Sequence, residues 1–401
     1  MKKRIWRVSS ISALAFIFVF ACGIFVTATA GLTPEQAQEL GEIQRAIKAK
    51  GATWKAGETS VFKLSREAKK RLCGVLFDEK PGMVSTGGTT EQTFTTDTDS
   101  FDWRVQSPNV VTPIKDQGNC GSCWAFAAVG AMESTLMINT NANEEDLSEQ
   151  LVVSCDRSNF GCNGGYMDRV YDFLSGTGTT DEDCFPYTSG QTGHSPRCSE
   201  RCQDWGNRVE KITGWQWVNN NPNDIKAAVL NGPVPTTMSV YSDFYAYVDG
   251  VYQHSSGGYV GGHAVIIIGW GVDPSAGGYW ICKNSWGTDW GEGGFFKIKW
   301  SNCGIGGNTA KYSYTPGECV DSDGDGYSAQ YCGGKDCDDS DSSVNPGVTE
   351  QCGDNIDNNC NGVIDENCSS PSCSQKGEIC TDSSDCCSGK CTGKPGAQTC
   401  K

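Results

Sequence analysis

The placement of cysteine constrains this chain more than any other feature. Its 401 residues carry 23 cysteines: one in residues 1–30, one in 31–98, nine in 99–316, six in 317–369 and six in 370–401. The first residues, MKKRIWRVSSISALAFIFVFACGIFVTATAGL, are a basic stub, an apolar run and Ala28-Thr29-Ala30. That is the pattern of a secretory signal peptide cut before Gly31. In an oxidising compartment, cysteines in such number form a disulfide framework rather than a set of thiols. No later stretch offers the roughly 20 apolar residues of a spanning helix, so no membrane partner is expected after signal cleavage. The formal charge of −16 excludes nucleic acid and anionic membrane surfaces as natural partners.

The texture changes along the chain. Residues 31–98 are polar, with a helical stretch at PEQAQELGEIQRAIKAKG. Residues 99–316 are rich in aromatic side chains and contain strand-like runs such as HAVIIIGWG and GFFKIKW. Both C-terminal cysteine sets are even, as closed frameworks should be. The nine of the globular region are odd, which predicts one free thiol. Cys123 is the best candidate. After it, Ala125, Ala128, Val129, Met132 and Leu136 recur at helical spacing, placing Cys123 at a helix N-terminus. There the backbone N–H groups and the helix dipole favour thiolate.

Four motifs, QGNCGSCWAF, GCNGGYMD, GGHAV and KNSWGTDWGEGGFF, occur in order between residues 117 and 296. On them, residues 99–316 resemble a papain-family cysteine protease, cathepsin-like. The resemblance implies an α+β fold with a two-lobed catalytic domain, one lobe helical and the other β-barrel-like. It also implies Cys123 as nucleophile, His263 as general base and acid, Asn284 as its orienter, and Gln117 as oxyanion donor beside the Cys123 N–H. Such a site needs no cofactor for catalysis, and Trp286 covers the His–Asn hydrogen bond. His263 follows Cys123 by 140 residues, a spacing that suits this family. His194 and His254 lie in polar, loop-like text.

The same resemblance pairs Cys120 with Cys162. Cys155 then pairs with Cys198 or Cys202, Cys184 takes the other, and Cys282 is paired with Cys303 as the remainder. Gly164 and Gly165 match the edge that hydrogen-bonds substrate backbone, where glycine allows close approach. Tyr166, Met167, Thr237, Ala264 and Asn308 line the pocket for the side chain before the scissile residue. Without an acid at its base, that pocket should prefer a medium-sized apolar side chain to arginine. Gly262 precedes His263 where relatives often carry Asp. The segment WKAGETSVFKLSREAKKRLCG resembles the short inhibitory pro-segments of the family, which run backwards through the cleft.

Beyond the catalytic region, DSDGDGYSAQYC (321–332) and DNNCNGVIDENC (357–368) form an internal repeat. Each has oxygen ligands at positions 1, 3 and 5 and glycine at 6, the opening of a calcium loop. Position 12 is cysteine, so neither is an EF-hand. The repeat resembles thrombospondin type 3-like modules. Its candidate metal ligands are Asp321, Asp323, Asp325, Asp338, Asp357, Asn359, Asn361 and Asp365. The last 32 residues have the cysteine order of inhibitor cystine knots, implying Cys373–Cys387, Cys380–Cys391 and Cys386–Cys400.

The reading is thus a signal peptide (1–30), a propeptide (31–98), a papain-like peptidase domain (99–316), an acidic calcium-binding module (317–369) and a cystine-knot-like tail (370–401). Such a protein is a secreted cysteine endopeptidase made as a zymogen, with protein or peptide substrates and its own propeptide as inhibitor. Calcium is the structural cofactor of the module, and the tail has an unidentified ligand. The alternative is a surface- or glycan-binding protein whose protease domain serves as scaffold.

Overall fold

A computed structural model describes residues 31–77, 99–140, 142, 144–315, 321, 323–328, 335–354, 356–366, 376, 377, 379, 380, 390–394 and 398–401. The signal peptide lies outside these residues, as do Cys332, Cys368, Cys373, Cys386 and Cys387.

The helices are α1 (Pro34–Lys50), α2 (Arg66–Arg71), α3 (Cys123–Thr140), α4 (Glu149–Cys155), α5 (Met167–Gly176), α6 (Ser189–Thr192) and α7 (Pro222–Val229). The strands that build the enzyme are β1 (Lys55–Ala56), β2 (Phe101–Asp102), β3 (Gly214–Trp217), β4 (Val234–Tyr241), β5 (Tyr247–Asp249), β6 (Val251–Tyr252), β7 (Tyr259–Asp273), β8 (Gly277–Lys283), β9 (Phe295–Lys299) and β10 (Ala310–Ser313). The sheet runs β2-β7-β8-β9-β6, with β4 also on β7. Its pairs are antiparallel except β6–β9.

β7 divides the protein. Side chains alternate across a strand, and here the alternation separates two cores. Val265 and Ile267 enter the cluster that holds Trp270, Trp286, Trp290 and Phe296. Ala264, Ile266 and Ile268 enter the other, with α3, Val152, Met167 and Tyr171. The apolar run HAVIIIGWG is therefore buried on both faces. α3 is likewise enclosed, from Cys123 through Ser134 and again at Leu136 and Met137. Its spacing suggested a single apolar face, but this helix threads the interior, where small alanines let neighbours approach from all sides.

Residues 31–77 are a built element. Thr33 and Gln36 form a capping box, Pro34 starts α1, and Gly51 ends it with φ 62°. Ile43, Ile47, Trp54, Val61 and Phe62 complete the same core as the sheet tryptophans. Burying Phe62 alone is worth about 1.5–3 kcal/mol. β1 pairs with β5, Trp54 donates its indole N–H to Gln253 O at 2.9 Å, and the Thr59 hydroxyl donates to Tyr245 O at 2.6 Å.

Candidate active site

Cys123 opens α3 and is fully buried. The loop before it is stapled by the Cys120–Cys162 disulfide, and Gly121 N donates to Cys162 O at 3.0 Å. Burial pushes the Cys123 thiol up to about 11, although backbone N–H groups of Ala264, Gly74, Trp124 and Cys123 oppose the shift.

His263 stands on β7 opposite Met238 of β4. Its Nε2 lies 2.8 Å from Asn284 Oδ1, just past the end of β8. The Trp286 ring sits 4.7 Å from the imidazole and shields that hydrogen bond. Burial pushes His263 down to about 4, against the Asn284 bond and the nearby Leu72 carbonyl. Near neutral pH, thiol and imidazole are thus both uncharged in this form.

The reason for their burial is the pro-segment, which passes directly over them. Gly74 N donates to Cys123 Sγ at 3.2 Å. Gln117 Nε2 donates to Leu72 O at 3.3 Å and to Cys120 O at 2.8 Å, while its Oε1 accepts from the Ser285 hydroxyl. Leu76 N donates to Gly165 O, Gly165 N to Gly74 O, and Val75 N to Gly262 O, all between 2.8 and 3.0 Å. Val75 runs parallel to Gly165 and antiparallel to Gly262. The passage is so close that a Cβ on Gly74 would fall 2.0 Å from Gly121 O, and one on Gly262 would meet Val75 O at 2.7 Å. An amide N–H of the strand faces the sulfur, and the Leu72 carbonyl occupies Gln117 Nε2.

Of the residues expected to bind substrate, Gly164, Gly165, Met167 and Ala264 lie against this strand. Val75 is 5% exposed and packs in one cluster with Met167 and Ala264. Thr237 pairs with Ala264 across β4 and β7, and its hydroxyl donates to Gly307 O. Tyr166 is held by the Arg169 guanidinium, 4.1 Å from its ring. Gly164 takes φ 110°, beside the Leu76 side chain. His254 hydrogen-bonds buried Asp243 and His194 is in a surface turn.

Beneath the site runs a charged network that no motif announced. Lys115 bridges Glu133 and Glu149, Thr112 bonds Glu133, and Lys283, beside Asn284, donates to Thr112 Oγ1 at 2.6 Å. Glu133 and Glu149 are almost fully buried, so the removal of Lys115 would strand their charge. Spacing along the sequence carries no trace of it, because its members come from four separate elements.

Three disulfides close the domain: Cys120–Cys162, Cys155–Cys198 and Cys184–Cys202. The expected Cys282–Cys303 bridge does not form. Cys282 is sealed in the core on β8, whereas Cys303 sits in a left-handed turn with its thiol on Asn302 Oδ1. Hence Cys123, Cys282 and Cys303 are free in residues 99–316, where the odd count suggested one, and Cys73 of the pro-segment is free as well.

A family model described as papain family cysteine protease matches residues 98–313. The chain belongs to the papain family of cysteine proteases. This protease is 39% identical over 267 residues to the cathepsin B-like CP3 of Giardia intestinalis, covering 65% of this chain and 89% of that relative. The cathepsin B-like CP2 of the same organism is 38% identical over 267 residues, 63% of this chain and 86% of its own. Among solved structures, procathepsin B S9 from Trypanosoma congolense superposes with TM-score 0.59 at 25% identity, covering 68% of this chain and 97% of that one. The digestive procathepsin L 3 of Tenebrio molitor larval midgut gives 0.56 at 26%, covering 70% and 89%. Both are proforms, consistent with residues 31–77 lying in the cleft as an inhibitor.

A second family model, a putative metal-binding motif named for copper binding, matches residues 336–369. Two groups of carboxylates have oxygens within 4.8 Å of one another: Asp321, Asp323 and Asp325, and Glu350, Asp357 and Glu366. The structure leaves Asp338 and Asp365 out of both, since Asp338 caps Ser340 and Asp365 accepts from Gly353 N. Asn359 and Asn361 reach Glu366 through their amides. Glu350 and Glu366 lie outside the repeated D-x-N-x-N-G frame, so the repeat gives no sign of them. In the tail, Cys380–Cys391 is bridged.

Proposed function

We propose that this protease is a secreted endopeptidase zymogen that cuts internal peptide bonds through Cys123, His263 and Asn284. The observation carrying this is the continuous pro-segment: residues 66–72 lie on one side of Cys123 and 74–77 on the other. A cleft that accepts a chain through both ends accepts the middle of a polypeptide. Once the segment leaves, water returns to the site and the burial that neutralises both groups is relieved. Thiolate and imidazolium then form at the N-terminus of α3.

The Cys123 thiolate adds to the scissile carbonyl, and the resulting oxyanion sits between Gln117 Nε2 and the Cys123 N–H. Each donor is worth about 3 kcal/mol of barrier. His263 protonates the leaving amine, then takes a proton from the water that releases the acyl group, while Asn284 Oδ1 holds the ring in place. The Val75 position suggests that branched aliphatic side chains suit the pocket at Met167 and Ala264. Internally quenched peptides with valine there, compared with C-terminal dipeptide substrates, test the endopeptidase reading. Labelling of matured protein by a thiol-reactive epoxide separates it from a scaffold with a binding role.

The metal of the acidic module is read as calcium. Residues 317–401 contain no histidine or methionine, and the described cysteines there are disulfide-bonded. The donors left are carboxylate, amide and backbone oxygens, which suit a hard cation rather than copper. The module is read as thrombospondin type 3-like and the tail as a cystine knot. Equilibrium dialysis against calcium and against copper distinguishes the two metals.

A further inference from the structure

The two loops of the acidic module are one structure used twice. Asp321 accepts from the N–H groups of Asp325 and Gly326, and Asp357 from those of Asn361 and Gly362. Gly326 and Gly362 have φ 95° and 89°. Asp325 accepts from Tyr327 N as Asn361 accepts from Val363 N.

In the first loop Asp321 accepts backbone N–H groups on both oxygens, whereas Asp323 and Asp325 each use one oxygen to hold the turn and leave the other over. Oδ2 of Asp323, of Asp325 and of Asp336 are all buried without a hydrogen-bond partner. Asp336 is decisive, because it comes from outside the loop. It is 1% exposed, its N–H donates to Ser328 O at 3.0 Å, and its Oδ1 accepts from Asp338 N. A buried carboxylate oxygen with no partner, close enough to feel the carboxylates of Asp323 and Asp325, is strongly unfavourable unless a cation sits among them. The second loop has matching orphans in Asn359 Oδ1 and Glu366 Oε2. There Glu350 ties the loop by accepting from Asn359 N and Asp365 N.

The residue after Asp336 is Cys337, and its disulfide partner is Cys360, between Asn359 and Asn361 of the second loop. Cys337 N also donates to Cys360 Sγ at 3.0 Å, and Asn345 N donates to Asn358 O at 2.8 Å. Resting on the calcium reading above, we propose that Asp321, Asp323, Asp325 and Asp336 form one calcium site and Glu350, Asp357 and Glu366 a second, coupled so that filling either favours the other. A cation at the first site fixes Asp336. Cys337 and the disulfide then carry that restraint into the turn that presents Asn359 and Asn361.

The test is calorimetric titration with calcium chloride of full-length Cys123→Ala zymogen, previously stripped with chelator. Two ions per chain are expected. Asp336→Asn should lose one and weaken the other about tenfold, within the usual range of coupling between sites. Asp323→Asn should do the same from within the loop, and mass mapping of Cys337–Cys360 in each variant shows that the module still folds. Asp338→Asn should leave both ions bound with unchanged affinity. Two ions at unchanged affinity in Asp336→Asn and Asp323→Asn would remove the first site. Loss of one ion with the other unaffected would overturn the coupling. No calcium uptake by the parent chain would overturn the calcium reading itself, and this proposal with it.

Discussion

The peptidase domain buries Trp124, Trp270, Trp280, Trp286 and Trp290, each 2% exposed or less. In the described part of the acidic module, residues 321–366, the one large apolar side chain so buried is Val344, accompanied inside by Asp336, Asn345 and Asn358. Ile356, Val363 and Ile364 are 44–56% exposed. One region is held by apolar area withdrawn from water, a term indifferent to dissolved ions. The other is held by the Cys337–Cys360 bridge and by turns whose side chains accept their own backbone N–H groups. Its carboxylates face one another. The difference teaches that order in the first region follows from the chain itself, whereas on the calcium reading proposed above the second needs a bound cation to offset its carboxylates. The pro-segment sits with the first region, since Trp54 and Phe62 complete the enzyme's own core.

The contrast can be broken most sharply at the sulfur. Cys123→Ala should lower peptide hydrolysis by a factor on the order of 10⁵ or more, with the melting temperatures of both regions unmoved. Retained activity would detach chemistry from the buried dyad. Next, Trp54→Ala should cost about 3–5 kcal/mol of pro-segment docking, read as faster epoxide labelling of Cys123 in the uncleaved zymogen. Labelling at the parent rate would mean that the pro-segment is not part of the enzyme's core.

Acid should open the cleft. In the Cys123→Ala zymogen, which has no thiolate to pair with the imidazole, the open form takes the ordinary 6.5 while burial holds His263 near 4 in the closed form, so the closed form binds fewer protons than the open one. Closure is at full strength above pH 6.5 and weakens as pH falls toward 4, by at most about 3 kcal/mol. Pro-segment release followed by hydrogen exchange of Val75 and Leu76 across that range checks the sign, and tighter closure in acid would reverse it. The smallest effect sharpens the comparison directly. Calcium at 100 times its dissociation constant should stabilise the module by about 2.7 kcal/mol, with no change in the peptidase transition. A shift of both transitions in calorimetry would show the two regions to be energetically one.

Much of the fold was legible because its signals are local. Thr33, Pro34 and Gly51 mark α1 at both ends, HAVIIIGWG is β7, and the motif around Cys123 marks the start of α3. The geometry around His263, Asn284 and Gln117 needed motifs scattered over some 170 residues, and those motifs are short enough to read. Less was visible wherever the deciding partner is distant in sequence and carries no motif. α3 looked one-sided because a lone helix does not reveal that elements pack on its other faces. Cys282 and Cys303 are a pair by remainder alone, yet β8 carries the first into the core and the turn after β9 keeps the second at its edge with its thiol on Asn302.

Sequence alone determined the family, the helix start at Cys123 and the acidic loops, each read from motifs of about a dozen residues or fewer. Tertiary structure decided that Leu72 and Gly74 meet Gln117 and Cys123, that Glu133 and Lys283 brace the floor of the site, and that Asp336 rather than Asp338 turns toward the first loop. Those outcomes depend on direction and enclosure. Asp336 and Asp338 are two residues apart and chemically identical, and they differ in that one is buried with an unpartnered oxygen near Asp323 and Asp325 while the other caps a surface turn.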